Sequence, residues 1–328
     1  MQRTLRISGA LCVATLCFAQ PAQAQTSSTQ AWPQRSVRFV LPLGPGSGVD
    51  IGARLIAERL SAKWGKPVVV ENKPGGDAIV AISAFTQAND DHVLLMAPTS
   101  TFTAHPFLHE KLPYDARDLV PIARVSNTIV AAGVPASLGI KSLDELIARS
   151  KAEPGKFNSA GTTGAVDFVV AGFLKQSGAD VTKVPYRDGV QALNDLAEGR
   201  IQLYVAALAI MRPQVEAGKV KIIAVTNTER APILPGVPTA AEAGHPGMTL
   251  DGLIGLFGPR EMPIELRNRI AADIKEILAD PGIAAKINAT AQIVRPGGPE
   301  EFAREIEAQT RRVSESAAAA GIKRVLQN

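Results

Sequence analysis

Cysteine occurs only at Cys12 and Cys17 in a chain of 328 residues. Beyond that point no disulfide, thiolate nucleophile or cysteine metal ligand is expected, and the fold must rest on its core. Aromatic residues make up 5% of the chain, which leaves no obvious stacking platform for sugars or bases. Charge is balanced, with 35 basic and 31 acidic residues and a net +4. With no basic run, that balance argues against nucleic acid or an anionic membrane as partner. No Gly-x-Ser-x-Gly elbow is present, and histidine is limited to His92, His105, His109 and His245. No serine and carboxylate are arranged around any of them in a recognisable order, which disfavours a secreted hydrolase. His105 and His109 are four apart, but Pro106 is expected to interrupt a helix there and no third ligand is evident in the sequence. No metal site is expected.

The one long apolar run, from Ile7 to Ala19, is shorter than the roughly 20 residues that span a bilayer. Arg3 and Arg6 precede it, and Ala22-Gln23-Ala24 follows with small residues at cleavage positions. This is the pattern of a secretory signal, with cleavage expected after Ala24 and a flexible linker over 25–34. The chain is therefore expected in the periplasm. Leu11 and Leu16 stand before the cysteines where a lipoprotein signal places small residues, so no lipid anchor is expected.

From Val37 onward, short apolar runs alternate with amphipathic segments, the pattern of an α/β protein. Val37 to Leu43 reads as a strand, Gly44 to Gly48 as a tight loop, and 49–64 as a helix with Ile51, Leu55, Ile56 and Leu60 at helical spacing. Gly65 ends that helix. Strands at 68–70 and 93–97 with a helix between them complete a βαβαβ unit. Further strands are expected at 129–134, 181–185, 203–207 and 220–225, and a helix from Ser142, whose hydroxyl can cap it. Helices over 263–279 and 299–320 carry apolar faces suited to packing. The segment 227–247 holds Pro232, Pro235, Pro238 and Pro246, suited to a rigid connection between lobes.

The Gly-rich loop has three readings. It follows a strand, opens a helix, and Glu71 lies about 20 residues on, as in a dinucleotide site. Yet Gly46, Gly48 and Gly52 do not keep the stricter fingerprint, and an exported protein meets little nicotinamide cofactor. In the second reading, backbone N–H groups of Gly46, Ser47 and Gly48 at a helix N-terminus favour an anion such as a carboxylate. In the third, the glycines only make a sharp turn. Asp50 is expected to stabilise the first turn of its helix and not to act as a base.

Several motifs then stand in one order along the chain. They are Arg38-Phe39-Val40-Leu41-Pro42 leading into Pro45-Gly46-Ser47-Gly48 and Asp50, then Pro67 to Gly76, Lys111-Leu112-Pro113-Tyr114-Asp115, Ser159-Ala160-Gly161, Val184-Pro185-Tyr186-Arg187, Ala224-Val225-Thr226, and Val237-Pro238-Thr239 with Glu242-Ala243-Gly244. Together they resemble the tripartite tricarboxylate transporter receptors, also called Bug receptors. The resemblance implies an α/β, two-lobed periplasmic binding protein, type II-like, each lobe a mostly parallel sheet flanked by helices with the ligand cleft between. It implies residues 35–126 and 227–328 in lobe 1 and 127–226 in lobe 2. The implied ligand is a small organic carboxylate, a di- or tricarboxylate, aromatic acid or acidic amino acid. The implied partners are membrane transport subunits, with no cofactor, no catalysis and a monomeric receptor. A ligand sensor serving a signalling partner would use the same pocket.

By the same resemblance, four loops build that pocket. Pro45, Gly46, Ser47 and Gly48 receive one carboxylate; Thr99, Ser100 and Thr101 offer hydroxyls after the strand ending at Ala97. Ser159, Ala160, Gly161, Thr162 and Thr163 form a third, helix-opening loop, and Tyr186 with Arg187 the fourth. The chain departs from the family pattern at Ser47, which replaces a glycine, at Asp167 and Gln202, which stand for a histidine and an aspartate, and at Leu253, which stands for an aromatic. These departures bear on ligand identity. An added Asp167 would favour a ligand with an amine or hydroxyl.

Overall fold

The computed structural model describes residues 32–161, 164–186 and 188–325. The signal and most of the expected linker lie outside the described residues. The first unit runs β1 (Val37–Leu41), α1 (Gly48–Trp64), β2 (Val68–Asn72), α2 (Ile79–Ala88), β3 (Val93–Pro98) and α3 (Thr99–Leu108). Ser47 caps α1 by accepting from Asp50 N, and Gly65 closes it in the left-handed region at φ 66°. The apolar stripe is rotated from the expected one. Ile56, Ala57 and Leu60 are buried, whereas Ile51 is 37% exposed.

After α3 come β4 (Val120–Thr128), β5 (Val130–Pro135), α4 (Leu143–Ala152), β6 (Phe157–Gly161), α5 (Ala165–Ser177), β7 (Val181–Pro185), α6 (Gly189–Ala197), β8 (Tyr204–Ala207), α7 (Leu208–Glu216) and β9 (Val220–Val225). The chain closes with β10 (Gly252–Gly258), α8 (Ile264–Leu278), α9 (Pro281–Asn288), β11 (Gln292–Gly297) and α10 (Pro299–Ala319).

Two mixed sheets result. The first has six strands in the order β11-β4-β10-β3-β1-β2, with β2, β1 and β3 parallel and β10 antiparallel to both its neighbours. The inner parallel strands are apolar on both faces over Phe39–Leu41 and Val93–Ala97, where helices cover both. Phe39, Leu41, Leu94 and Met96 pack with α1 and α8. Val40, Leu95 and Ala97, alternating with them, pack with Ile82, Phe85 and Phe302 of α2 and α10. This period of two fixes the register, since a one-residue slip would exchange the faces.

The second sheet has β5 antiparallel between β8 and β9, and β6 parallel to β7. Ala160 N donates to Leu203 O at 3.0 Å, which joins the two parts. Helices α4 and α5 cover one face and α6 and α7 the other. Residues 239–250, assigned by sequence to the first lobe, pack here: Ala240, Met248 and Leu250 share a core with Val169 and Phe173. So do Val313 and Ala317 at the far end of α10. The crossing of α10 over α5 is close because residue 172 is glycine; a Cβ there would lie 2.9 Å from Ser316 O. One helix is therefore anchored in both units, through Phe302 at one end and Val313 at the other.

Candidate functional site

Parallel strands feeding helices place the loops that carry chemistry at the carboxyl edge of each sheet. In the first unit, the edge holds the turn into α1, Asn72 at the end of β2, and the first turn of α3. In the second, it holds the ends of β6, β7 and β8 with the openings of α5 and α7. The two edges meet. A Cβ on Gly164, the cap of α5 at φ 86°, would lie 3.6 Å from Ser100 O in the first turn of α3. Both are helix N-termini, and partial positive charge collects there.

The first loop is organised around a carboxylate of the chain itself. Asp50 is 2% exposed, and its Oδ2 accepts from Gly46 N at 2.9 Å. Its Oδ1 accepts from Asn72 Nδ2 at 2.9 Å, and Arg54 Nε reaches both oxygens at 3.0–3.1 Å. Burial alone would push the Asp50 carboxyl up. The donors from Arg54, Gly46 and Asn72 outweigh it and hold the group below its ordinary value. The Gly46 N–H, expected to meet a ligand, is thus engaged inside the loop. Pro45 and Gly46 are exposed, Ser47 and Gly48 half-buried. Gly48 is pressed against the start of β11, where a Cβ would stand 2.8 Å from Gln292 Nε2.

In the second loop, Thr99 turns away from the edge. It is fully buried, and its hydroxyl donates to Gln309 Oε1 at 2.6 Å. Ser100 and Thr101 are half-buried in the first turn of α3. In the third, Ser159, Ala160 and Gly161 are the buried last residues of β6, and the helix opens later, after Gly164. Thr162, Thr163 and Arg187 lie outside the described residues. Tyr186 follows β7 and its N–H donates to Gly161 O at 3.3 Å. Its hydroxyl donates to Asp195 Oδ2 at 2.7 Å. Burial, and then the Asp195 carboxylate, push the phenol up to about 12.

Two departures from the family pattern are absorbed locally. Asp167, in the first turn of α5, is paired with Lys183 Nζ, so its charge is balanced within the chain. Gln202 accepts from Asn158 N and donates to Gly199 O, both at 2.8 Å; it holds a turn together.

Sequence reasoning missed Asn72, which seats Asp50, and the end of β8. There Leu208 N donates to Ile129 O at 2.8 Å as α7 opens. The strand itself was legible, but Ala206-Ala207-Leu208-Ala209 carries no polar side chain to mark it. Pro106 also behaves otherwise than expected. It lies inside α3, which runs one further turn, with His109 N closing on His105 O at 3.0 Å and Phe107 packed on Phe168.

Two mixed α/β units with strand carboxyl ends and helix openings brought together between them define a periplasmic binding protein fold. A family model described as the tripartite tricarboxylate transporter family receptor matches residues 52–315. The chain belongs to that family, whose members are periplasmic binding proteins. It is 31% identical over 288 residues to a UPF0065 protein of Bordetella bronchiseptica, covering 87% of this chain and 83% of that one. It superposes with TM-score 0.76 on an R. palustris protein solved with adipate, at 28% identity over 89% of this chain and 99% of that one. MatC of Rhodopseudomonas palustris with bound malate gives TM-score 0.69 at 25% identity, over 88% and 100%. Among the described residues, no helix is long and apolar enough to cross a membrane.

Proposed function

We propose that this chain captures a small dicarboxylate between its two lobes and presents it to the membrane subunits of a tripartite tricarboxylate-type transporter, without chemical change. The approach of Gly164 to Ser100 carries this reading, because it brings two helix openings, one from each lobe, side by side. Donors there are uncharged dipoles, which suit an anion that must be released again. With the Gly46 N–H given to Asp50, one carboxylate is assigned to the Ser47 hydroxyl and the N–H groups of Gly48 and Val49. The distal group falls to Ser100 and Thr101, and by the family resemblance Thr162, Thr163, Tyr186 and Arg187 are further candidate ligand contacts. Adipate and malate in the solved relatives are both dicarboxylates, which makes that class the first to test.

An acid bridging the lobes favours the closed arrangement by its differential affinity for it. The test is thermal melting and calorimetry of the purified chain with malate, adipate, citrate, benzoate and the corresponding neutral amides. A binder at 100 times its dissociation constant stabilises by about 2.7 kcal/mol. The reading fails if no acid shifts the melt, or if the amides shift it as much as the acids.

A further inference from the structure

A cluster on the first unit, outside the proposed cleft, brings together what the sequence leaves apart. Asp77, in the turn between β2 and α2, faces His105 of α3 and His109, the residue that caps its C-terminus, and one ligand atom from each lies within 4.8 Å of the others. Asp77 Oδ2 is 3.5 Å from His105 Nε2 and 3.9 Å from His109 Nε2. Two ligands each about 2.1 Å from a tetrahedral ion stand about 3.4 Å apart. The first distance already fits; the second closes with a shift of about half an ångström.

Three further features favour an ion here over a plain hydrogen-bonded group. His109 Nε2 is buried without a hydrogen-bond partner, a state polar atoms in interiors rarely keep. His105 is fully buried, and its other ring nitrogen lies 2.5 Å from Tyr114 Oη. That is the arrangement in which a ligating histidine donates its second N–H to an outer partner that fixes its orientation. Solvent reaches the cluster, since the Asp77 and His109 side chains are 25% and 31% exposed. Because α3 continues through Pro106, His109 caps it one turn beyond His105, with its N–H on the His105 carbonyl.

We propose that Asp77, His105 and His109 form a binding site for one divalent transition ion, with water completing the shell. Two imidazoles and one carboxylate suit Zn²⁺ or a similar borderline cation over Mg²⁺ or Ca²⁺, which prefer all-oxygen shells. Without the ion, the ring nitrogen 2.9 Å from Asp77 O carries the proton of His105 and donates to that carbonyl. Binding requires that nitrogen bare and the Asp77 carbonyl turned away from it, because an ion about 2.1 Å from Nε2 would otherwise overlap the oxygen; the proton moves to Nδ1 and donates to Tyr114 Oη. The ion ties the turn after β2 to the helix whose first turn holds Ser100.

The experiment is calorimetric titration of the untagged, metal-stripped chain with Zn²⁺, repeated with Co²⁺ to read tetrahedral coordination by visible absorption. One ion per chain is expected. His109→Ala removes a part-exposed ring with an unpartnered nitrogen and should fold, yet weaken binding by more than about 100-fold; Asp77→Asn should do likewise. Tyr114→Phe, acting through His105, should weaken it by about 10–100-fold. His245→Ala, whose ring pairs with Asp144, should change nothing. The assignment is overturned if the wild-type chain binds no Zn²⁺, or if folded His109→Ala binds it as tightly as wild type.

Discussion

Asn227 donates its side-chain amide to the Thr128 carbonyl at 2.9 Å, stitching together two of the points where the chain passes between its sheets. Its Oδ1 accepts from Val130 N at 3.0 Å, on the other side of the single residue that separates β4 from β5. The amide also reaches Asp251 Oδ1 at 3.4 Å, just before β10. One buried side chain thus ties the β4–β5 crossing to the residue that precedes β10.

Removing it orphans the buried Val130 N–H and the part-buried Thr128 carbonyl. Asn227→Ala should destabilise by about 1–3 kcal/mol for each buried partner left unsatisfied. Asn227→Asp should cost at least as much, because a carboxylate oxygen would then face the Thr128 carbonyl. Denaturant melts of both variants check this. An unchanged midpoint would mean that the crossing strands hold together without the staple.

How far the sequence could be read follows from where its signals were local. The βαβαβ unit was legible because β1, β2 and β3 are apolar runs divided by glycine turns and one amphipathic helix. Strand β10 was not, since Gly252, Gly255 and Gly258 read as breakers. Each answers a neighbour distant in sequence: a Cβ would meet Thr128 O, Phe302 or Met262. Strand β4 hid for a similar reason. Its Arg124 is 2% exposed, held by Arg295 O and the carboxylates of Glu301 and Glu305. In the candidate site, the turns themselves were legible from glycine and proline. That Asp50 fills the Gly46 donor, and that Gln309 takes Thr99, depends on partners no local pattern announces.

Asp50 carries a pH dependence whose sign is fixed. Its folded pKa lies below its ordinary value, so below about pH 3.9 the unfolded chain binds the extra proton first. The stability it contributes is complete above that ordinary value and is lost as pH falls through the lower folded one. Asp50→Asn should cost about 1.5–3 kcal/mol at neutral pH, the range for hydrogen bonds to a charged group. The deficit relative to wild type should shrink in acid. Chemical denaturation at pH 7 and pH 3 gives the comparison, and a constant difference would refute the assignment.

Tyr186 separates a structural hydroxyl from a binding one. Its proton is given to Asp195, which Arg200 also holds. Tyr186→Phe should therefore lower stability by about 0.5–1.5 kcal/mol. Affinity for a bound dicarboxylate should fall less than about tenfold, or 1.4 kcal/mol, since the ring is kept. A larger affinity loss with unchanged stability would place the hydroxyl on the ligand instead.

Gly255 decides how α10 lies on the first sheet. A Cβ there would stand 2.2 Å from two ring carbons of Phe302 and 2.7 Å from the Ala123 carbonyl, which cannot move without breaking the pairing of β10 with β4. Phe302 is itself fully buried against Phe257, their ring centroids 5.3 Å apart. Gly255→Ala should destabilise by about 1–3 kcal/mol through overpacking. Phe302→Leu frees part of the space, so the double variant should lose less than the two single losses added. Strict additivity in a double-mutant cycle would mean the ring is not what excludes the methyl, leaving the Ala123 carbonyl as the sole obstacle. Because α10 also reaches α5 through Val313, the same variants should loosen packing in the second unit, seen as faster amide exchange in α5 than in α1.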